Sequence, residues 1–277
     1  MNIQEWNPDF MDLSQIFLPL RECNQYVKGM RDWPELLILN QLKIKRRAQI
    51  ETKSGKEIHF VPAMPGKKRS EEKYESTVYL TGQVPTRVKN WHDFFNALVW
   101  QIFPRAKSTL NQLHYQMQLI ESLNKFKHRS VLRDAATHVD ESGVIIVSSK
   151  TYLIQLLRNF EWKQLFWKER DAALASMRFF VIGHGLYEKA LHPYIGMTGK
   201  GIIFDVNDTF FRLSLPDQLQ YVDSMLERFL LKSLSSNADL TPIPLLGYPG
   251  WTEENAQEAY YDNKKYFRDR RKFDSIV

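Results

Sequence analysis

Met177-Arg-Phe-Phe-Val-Ile-Gly-His-Gly-Leu-Tyr-Glu-Lys-Ala-Leu191 changes hydrophobic rhythm twice, and that change sets the fold class. Met177–Ile182 is a short, largely apolar run of strand length, and it reads as a buried strand. Gly183-His-Gly185 breaks it, and Leu186–Leu191 reads as a short helix. Upstream, Tyr152–Phe160 and Trp162–Ala175 read as helices, and Thr137–Asp140, Glu141-Ser-Gly143 and Val144–Ser148 as a β-hairpin. Downstream, Gly201–Val206 reads as a strand. Leu219, Val222, Leu226, Phe229 and Leu230 mark an amphipathic helix that begins near Pro216.

The N-terminal half carries the same mixture. Pro34 suits the first turn of a helix running to about Leu42. Ile58–Val61 and Tyr74–Leu80 alternate like strands, with Pro62–Lys73 as an exposed loop between them. Asn90 is a good N-cap for a helix from Trp91 to about Phe103, which Pro104 stops. A second helix follows, Lys107–Leu123, with Leu110, Leu113, Met117 and Ile120 at helical spacing. No regular βαβ rhythm connects these elements, so the expected class is α+β: a single mixed domain over residues 1–277, helix-rich with short strands. Residues 1–32 read as an N-terminal extension and residues 260–277 as a basic, aromatic tail.

Composition narrows the classes of function. The 277 residues are 43% hydrophobic and 25% charged, with seven Trp, seventeen Phe and twelve Tyr. Such a chain can fill a core and is not disordered throughout. Cys23 is the sole cysteine, which excludes an intramolecular disulfide and a Cys-rich zinc site. Cys23 itself reads as an inert, small apolar residue. No secretory leader and no run of about 20 apolar residues is present, so the expectation is a soluble, cytoplasmic protein. The net charge of +6 favours anionic partners: nucleic acid, phosphorylated metabolites or anionic lipid.

Three clusters could carry chemistry. In the first, His92, Asp93 and Asn96 share a helical face, and such a set binds a metal or positions a water. The plainer alternative is that Asp93 caps its helix and His92 is exposed. In the second, Asn111 and His114 lie three apart on the following helix, which an antiparallel hairpin could bring near His92. The alternative is a hydrogen-bonded core histidine. In the third, His184 and Glu188 lie four apart beyond the Met177–Ile182 strand, where a carboxylate can orient an imidazole and raise its basicity. The alternative is that the flanking glycines only permit a tight turn.

Standard signatures are absent. Thr198-Gly-Lys-Gly201 is not a Walker A loop, Gly183-His-Gly185 lacks the third glycine of a dinucleotide fingerprint, and neither HExxH nor GxSxG occurs. HD-type phosphohydrolases share the His92-Asp93 doublet, but the upstream His59 falls in an expected strand rather than a helix. In the tail, Lys264-Lys-Tyr-Phe-Arg-Asp-Arg-Arg-Lys-Phe273 interleaves bases with aromatics. It reads either as a nucleic-acid contact or as an arm whose aromatics pack back onto the body.

Several strings together resemble a bacterial family known as domain of unknown function 3025. They are Val84-Pro-Thr-Arg87, Asn90-Trp-His-Asp-Phe-Phe-Asn-Ala-Leu-Val-Trp100, Leu110-Asn-Gln-Leu-His114, Gly183-His184, Glu188-Lys-Ala-Leu191 and Leu246-Gly-Tyr-Pro-Gly-Trp251. The resemblance runs from about Trp33 to Arg271. It implies one continuous domain in a Gram-negative bacterium, and it carries no activity, cofactor or partner to transfer.

The leading expectation from the residues is an enzyme of hydrolase type acting on a small anionic or phosphorylated substrate. His184, Glu188, His92, Asp93 and His114 would be its catalytic set, with a divalent metal as the cofactor they could hold. Arg87, Asn96, Asn111 and Lys200 would bind the substrate. The competing expectation is a non-catalytic nucleic-acid-binding protein using the Lys43–Arg47 cluster and the tail. A third is a protein-interaction module built around Pro242–Trp251. The sequence leaves the oligomeric state open.

Overall fold

The computed structural model describes residues 4–42, 50–63, 71–125 and 128–270. The basic cluster at 43–47, most of the loop expected at 62–73 and the last bases of the tail lie outside the described residues. The chain opens with 3-10 turns at Phe10–Asp12 and Gln15–Cys23, then α1 (Asn24–Val27) and α2 (Leu36–Gln41). Next come β1 (His59–Pro62), α3 (Glu71–Thr81) and β2 (Gln83–Thr86), with β1 and β2 forming a small parallel pair. Three helices follow, α4 (Trp91–Ile102), α5 (Pro104–Leu123) and α6 (Val131–Ser142). The second half runs β3 (Gly143–Ser148), α7 (Thr151–Arg158), α8 (Arg170–Ser176), β4 (Met177–Val181), α9 (His184–Ala190), β5 (Thr198–Asp205), α10 (Leu215–Lys232) and β6 (Thr241–Pro244).

Four of the strands form one sheet in the order β4-β3-β5-β6, with β3 and β5 parallel and both edge pairs antiparallel. Every residue of β3, Gly-Val-Ile-Ile-Val-Ser, is buried, as expected for a central strand covered on both faces. The class is α+β, as its mixed rhythm implies. Among the described residues, no helix is long and apolar enough to cross a membrane.

Two expected elements change type. Residues 74–80 form helix α3 rather than a strand. Tyr74 and Val78, four apart, point the same way, and Val78 is fully buried where α3 packs on α5. Helical spacing and strand alternation overlap over so short a run, and the packing partner decides between them. Residues 137–142 form the last turns of α6 rather than the first arm of a hairpin. The helix passes straight into β3 at Gly143, because Ala135, Ala136 and Val139 bury a helical face that began at the Ser130 N-cap.

The expected caps and breaks hold. Asn90 accepts from the Asp93 backbone N–H at 3.0 Å and starts α4. Pro104 ends α4 and becomes the first residue of α5, a position where its missing N–H does no harm. Residues 4–32 are no appendage. Phe10, Met11, Phe17, Leu20 and Val27 are buried; Trp6 stacks on Trp91 of α4 and meets Phe94 edge to face, and Phe10 meets Trp91, Phe94 and Phe95 edge to face. In the tail, Tyr266 and Phe267 pack home, and the Tyr266 hydroxyl donates to the Met197 carbonyl at 2.7 Å.

Candidate metal centre

α4, α6 and α9 converge at the α6–β3 junction. α4 packs on α9, and α9 packs on α6, so the first turn of α4, the last turn of α6 and the first turn of α9 face one another. Two glycines let α9 approach the end of α6 closely. A Cβ built on Gly183 would lie 2.5 Å from the Ser142 backbone nitrogen, and one built on Gly185 would lie 2.5 Å from Glu141 Oε2. The glycines around His184 therefore serve proximity: they let the chain seat His184 against the end of α6.

The two imidazoles meet there, with ring centroids 4.5 Å apart in an edge-to-face arrangement. His92 Nε2 and His184 Nε2 each lie 3.4 Å from the same oxygen, Glu141 Oε1. One atom from each of His92, Glu141 and His184 falls within 4.8 Å of the other two. A divalent ion with bonds of about 2.0–2.1 Å and near-tetrahedral angles holds its ligand atoms about 3.3 Å apart, so the imidazole–carboxylate spacing matches a metal site.

Each imidazole is also backed by a carboxylate on its far side. His92 Nδ1 donates to Asp93 Oδ1 at 3.3 Å, and His184 Nδ1 faces Asp140 Oδ2 at 3.8 Å. Each aspartate is in turn held by a base. Arg87 donates to Asp93 from its backbone N–H, Nε and Nη2 at 2.7, 3.0 and 2.8 Å. Lys107, only 4% exposed, pairs with Asp140. Two base–aspartate–histidine arms thus converge on Glu141. The hydrogen bond from His92 Nδ1 to Asp93 leaves Nε2 for a metal, and Asp140 stands behind His184 at ion-pair distance, short of a hydrogen bond.

Electrostatics follow from the packing. Hydrogen bonds to Asp93 and then Glu141 raise the His92 pKa to about 9, outweighing its desolvation. Burial pushes the Glu141 and Asp93 carboxyls up, but hydrogen bonds to His184 and His92 hold Glu141 below the usual carboxylate range. His92 and Arg87 do the same for Asp93. Burial also opposes the Asp140 charge, and Lys107 overcomes it. His114, by contrast, is driven down to about 4 by desolvation and is neutral at pH 7.

The cluster opens into a cavity of about 320 Å³ lined by Tyr74, Glu75, Arg87, Asn96, His114 and Thr137 together with the two arms. Its wall carries four carboxylates, Glu75, Asp93, Asp140 and Glu141, with the Arg87 guanidinium and the His92 imidazole, whose pKa is raised to about 9, among its bases. A wall so rich in carboxylate oxygens suits a cation.

The expected site residues divide as follows. His92, Asp93 and His184 come together, and Asn96, His114 and Arg87 line the same cavity. Asn111 sits in an adjoining recess and donates to the Glu75 carboxylate at 2.7 Å. Glu188 shares α9 with His184 but accepts from Gln4 at 3.3 Å; the carboxylates facing His184 are Glu141 and Asp140. Lys200 lies on β5, paired in register with Gly143, and does not line the cavity. Glu141, Asp140, Lys107, Tyr74, Glu75 and Thr137 went unread. Lys107 had a signal: with Asn111 and His114 it makes a polar stripe at helical spacing on a face otherwise apolar.

Residues 58–271 match the family described as "Protein of unknown function (DUF3025)". The chain belongs to this family. The matched span includes every residue of the cavity wall and both arms of the cluster. No curated protein and no solved structure matches the chain.

Proposed function

We propose that this protein is a metal-dependent hydrolase whose divalent ion is held by His92, Glu141 and His184. One observation carries the reading. Two imidazole Nε2 atoms stand 3.4 Å from one carboxylate oxygen, each backed at Nδ1 by an aspartate, at the edge of an open cavity. Three protein ligands with an open face are the pattern of a catalytic rather than a structural ion. The ion would lower the pKa of a bound water towards about 7 and polarise the oxygen of a scissile carbonyl or phosphoryl group. The protein's own part is to orient the His92 imidazole through Asp93, to keep Asp93 and Asp140 charged beside the two imidazoles, and to admit only a small substrate into about 320 Å³.

Elemental analysis of the purified, untagged protein tests this, with a His92→Ala/His184→Ala double variant beside it. Near-stoichiometric zinc, manganese, cobalt or iron in the native chain, lost in a still-folded double variant, is the expected outcome. A native chain that retains none of these ions, before or after reconstitution, overturns the reading. Zinc titration in buffers of different ionisation enthalpy gives a second check. The His92 proton, held by Asp93 and Glu141, must leave on ligation, so uptake at pH 7 releases about one proton per ion from this residue.

A further inference from the structure

Two buried groups in the cavity wall take no part in holding the metal ligands. Asn96 donates Nδ2 to the Tyr74 hydroxyl at 3.0 Å and leaves Oδ1 buried with no hydrogen-bond partner. His114, 3% exposed, leaves Nδ1 buried with none. Both line the cavity into which His92, Glu141 and His184 open. A buried polar atom without a partner costs about 1–3 kcal/mol, and native chains keep few of them. With His184 Nδ1 set aside as part of the metal-ligand cluster, these two in one ligand-sized cavity point to a ligand that satisfies both.

Charge narrows what that ligand is. The Arg87 fork is occupied by Asp93, and Lys107, in the adjoining recess, is paired with Asp140. The Arg87 and Lys107 charges are thus each matched to an aspartate and are not free to receive a phosphate or carboxylate. Burial keeps His114 a neutral imidazole, able to donate through one ring nitrogen. The wall therefore presents one neutral acceptor and one neutral donor.

We propose that Asn96 and His114 form a specificity subsite for an uncharged carboxamide of the substrate, whose N–H donates to Asn96 Oδ1 while its carbonyl accepts from His114 Nδ1–H. The inference rests on the metal-centre reading and deepens it, because it places a small neutral amide-bearing molecule, not a phosphoester, beside the ion.

The test uses the full chain loaded with cobalt(II) and read by its visible spectrum. Hydroxamates anchor on the ion. Three matched sets carry a terminal carboxamide, a carboxylate or an isopropyl group on a spacer of one or two methylenes. The carboxamide is expected to bind about tenfold more tightly than either isostere. That preference is expected to shrink to about twofold or less in Asn96→Leu and in His114→Phe, each read only where cobalt is still bound. Carboxylate binding tightest, an isopropyl probe binding equally well, or a preference that survives both substitutions overturns the subsite. If cobalt is not held, or acetohydroxamate leaves its spectrum unchanged, the metal centre itself is overturned and the subsite with it. A normal cobalt response without amide preference overturns the subsite alone.

Discussion

Asp140 and Glu141 are neighbours in sequence with different tasks: Glu141 faces both imidazoles, while Asp140 backs His184 and pairs with Lys107. Asp140→Asn removes the backing charge without touching a ligand, so metal affinity should fall about 10–100-fold. Competition against a chelator measures this. Asp134→Asn, on the exposed side of the same helix, should leave affinity unchanged; equal losses in both variants would remove Asp140 from the arm. His114 gives a second residue-scale prediction through pH. Its folded pKa, about 4, lies below the ordinary 6.5, so between those values the unfolded chain holds a proton that the native chain does not. Stability should therefore fall as pH drops from about 6.5 towards 4, by up to about 3 kcal/mol. His92 adds no slope there, because its folded value, near 9, is the raised one and its contribution is lost only as pH climbs from about 6.5 through 9. Urea midpoints of chelator-treated protein between pH 6.5 and 5 should decline in the native chain and stay flatter in His114→Gln. The histidines were legible in the sequence because His is rare and its neighbours obey helical spacing. Their carboxylates were not: Glu141 reaches His92 and His184 across three elements, and no local spacing encodes that meeting. The i,i+4 partner that local spacing does suggest for His184, Glu188, turns instead to Gln4.

At the scale of elements, the site depends on how closely α9 can approach the α6–β3 junction. The two glycines beside His184 make that approach in different ways, and alanine should separate them. At Gly183 an added Cβ meets backbone, the Ser142 and Gly143 nitrogens at 2.5 and 2.6 Å, which cannot yield without parting the elements. Gly183→Ala should cost stability on the order of 1–3 kcal/mol, as overpacking does, and lower the thermal midpoint. At Gly185 the nearest atom is the Glu141 carboxylate tip, which can swing aside, with the Glu141 carbonyl at 3.1 Å behind it. Gly185→Ala should keep most of its thermal midpoint yet bind metal far more weakly, because its methyl displaces a ligand. Comparable stability loss in both variants would contradict this account. The same junction shows why part of the fold escaped the sequence. Residues 137–142 precede a Ser-Gly pair and an apolar run, which is the local grammar of a hairpin, but Ala135, Ala136 and Val139 belong to a helical face whose partners lie far off in the chain. Residues 74–80 failed likewise, since Tyr74 and Val78 fit either rhythm until α5 is placed beside them. Elements with a punctuating residue of their own, Asn90 before α4 and Pro104 between α4 and α5, were legible because the cap chemistry is local.

For the whole molecule, one continuous apolar core runs from Phe10 to Phe267, so both ends of the described chain pack into the core that carries the site. The N-terminal segment reaches it directly. Gln4 accepts from the Trp91 backbone N–H at 2.7 Å through its side chain, and the Trp91 indole donates to the Glu5 carbonyl at 3.1 Å. These contacts hold the first turn of α4, where His92 and Asp93 begin. Trp6, Phe10 and Phe17 then cover the Trp91, Phe94 and Phe95 face that would otherwise meet water. The family match starts at residue 58, so a chain cut to the matched span would look complete by similarity while lacking one wall of its core. Deleting residues 1–32 exposes a contiguous aromatic surface and should give an aggregating or dye-binding product without a cooperative thermal transition. The single substitution Phe10→Ala tests the same packing more gently, with an expected loss of about 3–5 kcal/mol and metal binding retained by the fraction still folded. A truncated chain that melts cooperatively and holds metal like the intact one would mean that α4 keeps its place without the segment. The short arm of contacts from Gln4 to His92 would then have no part in building the site.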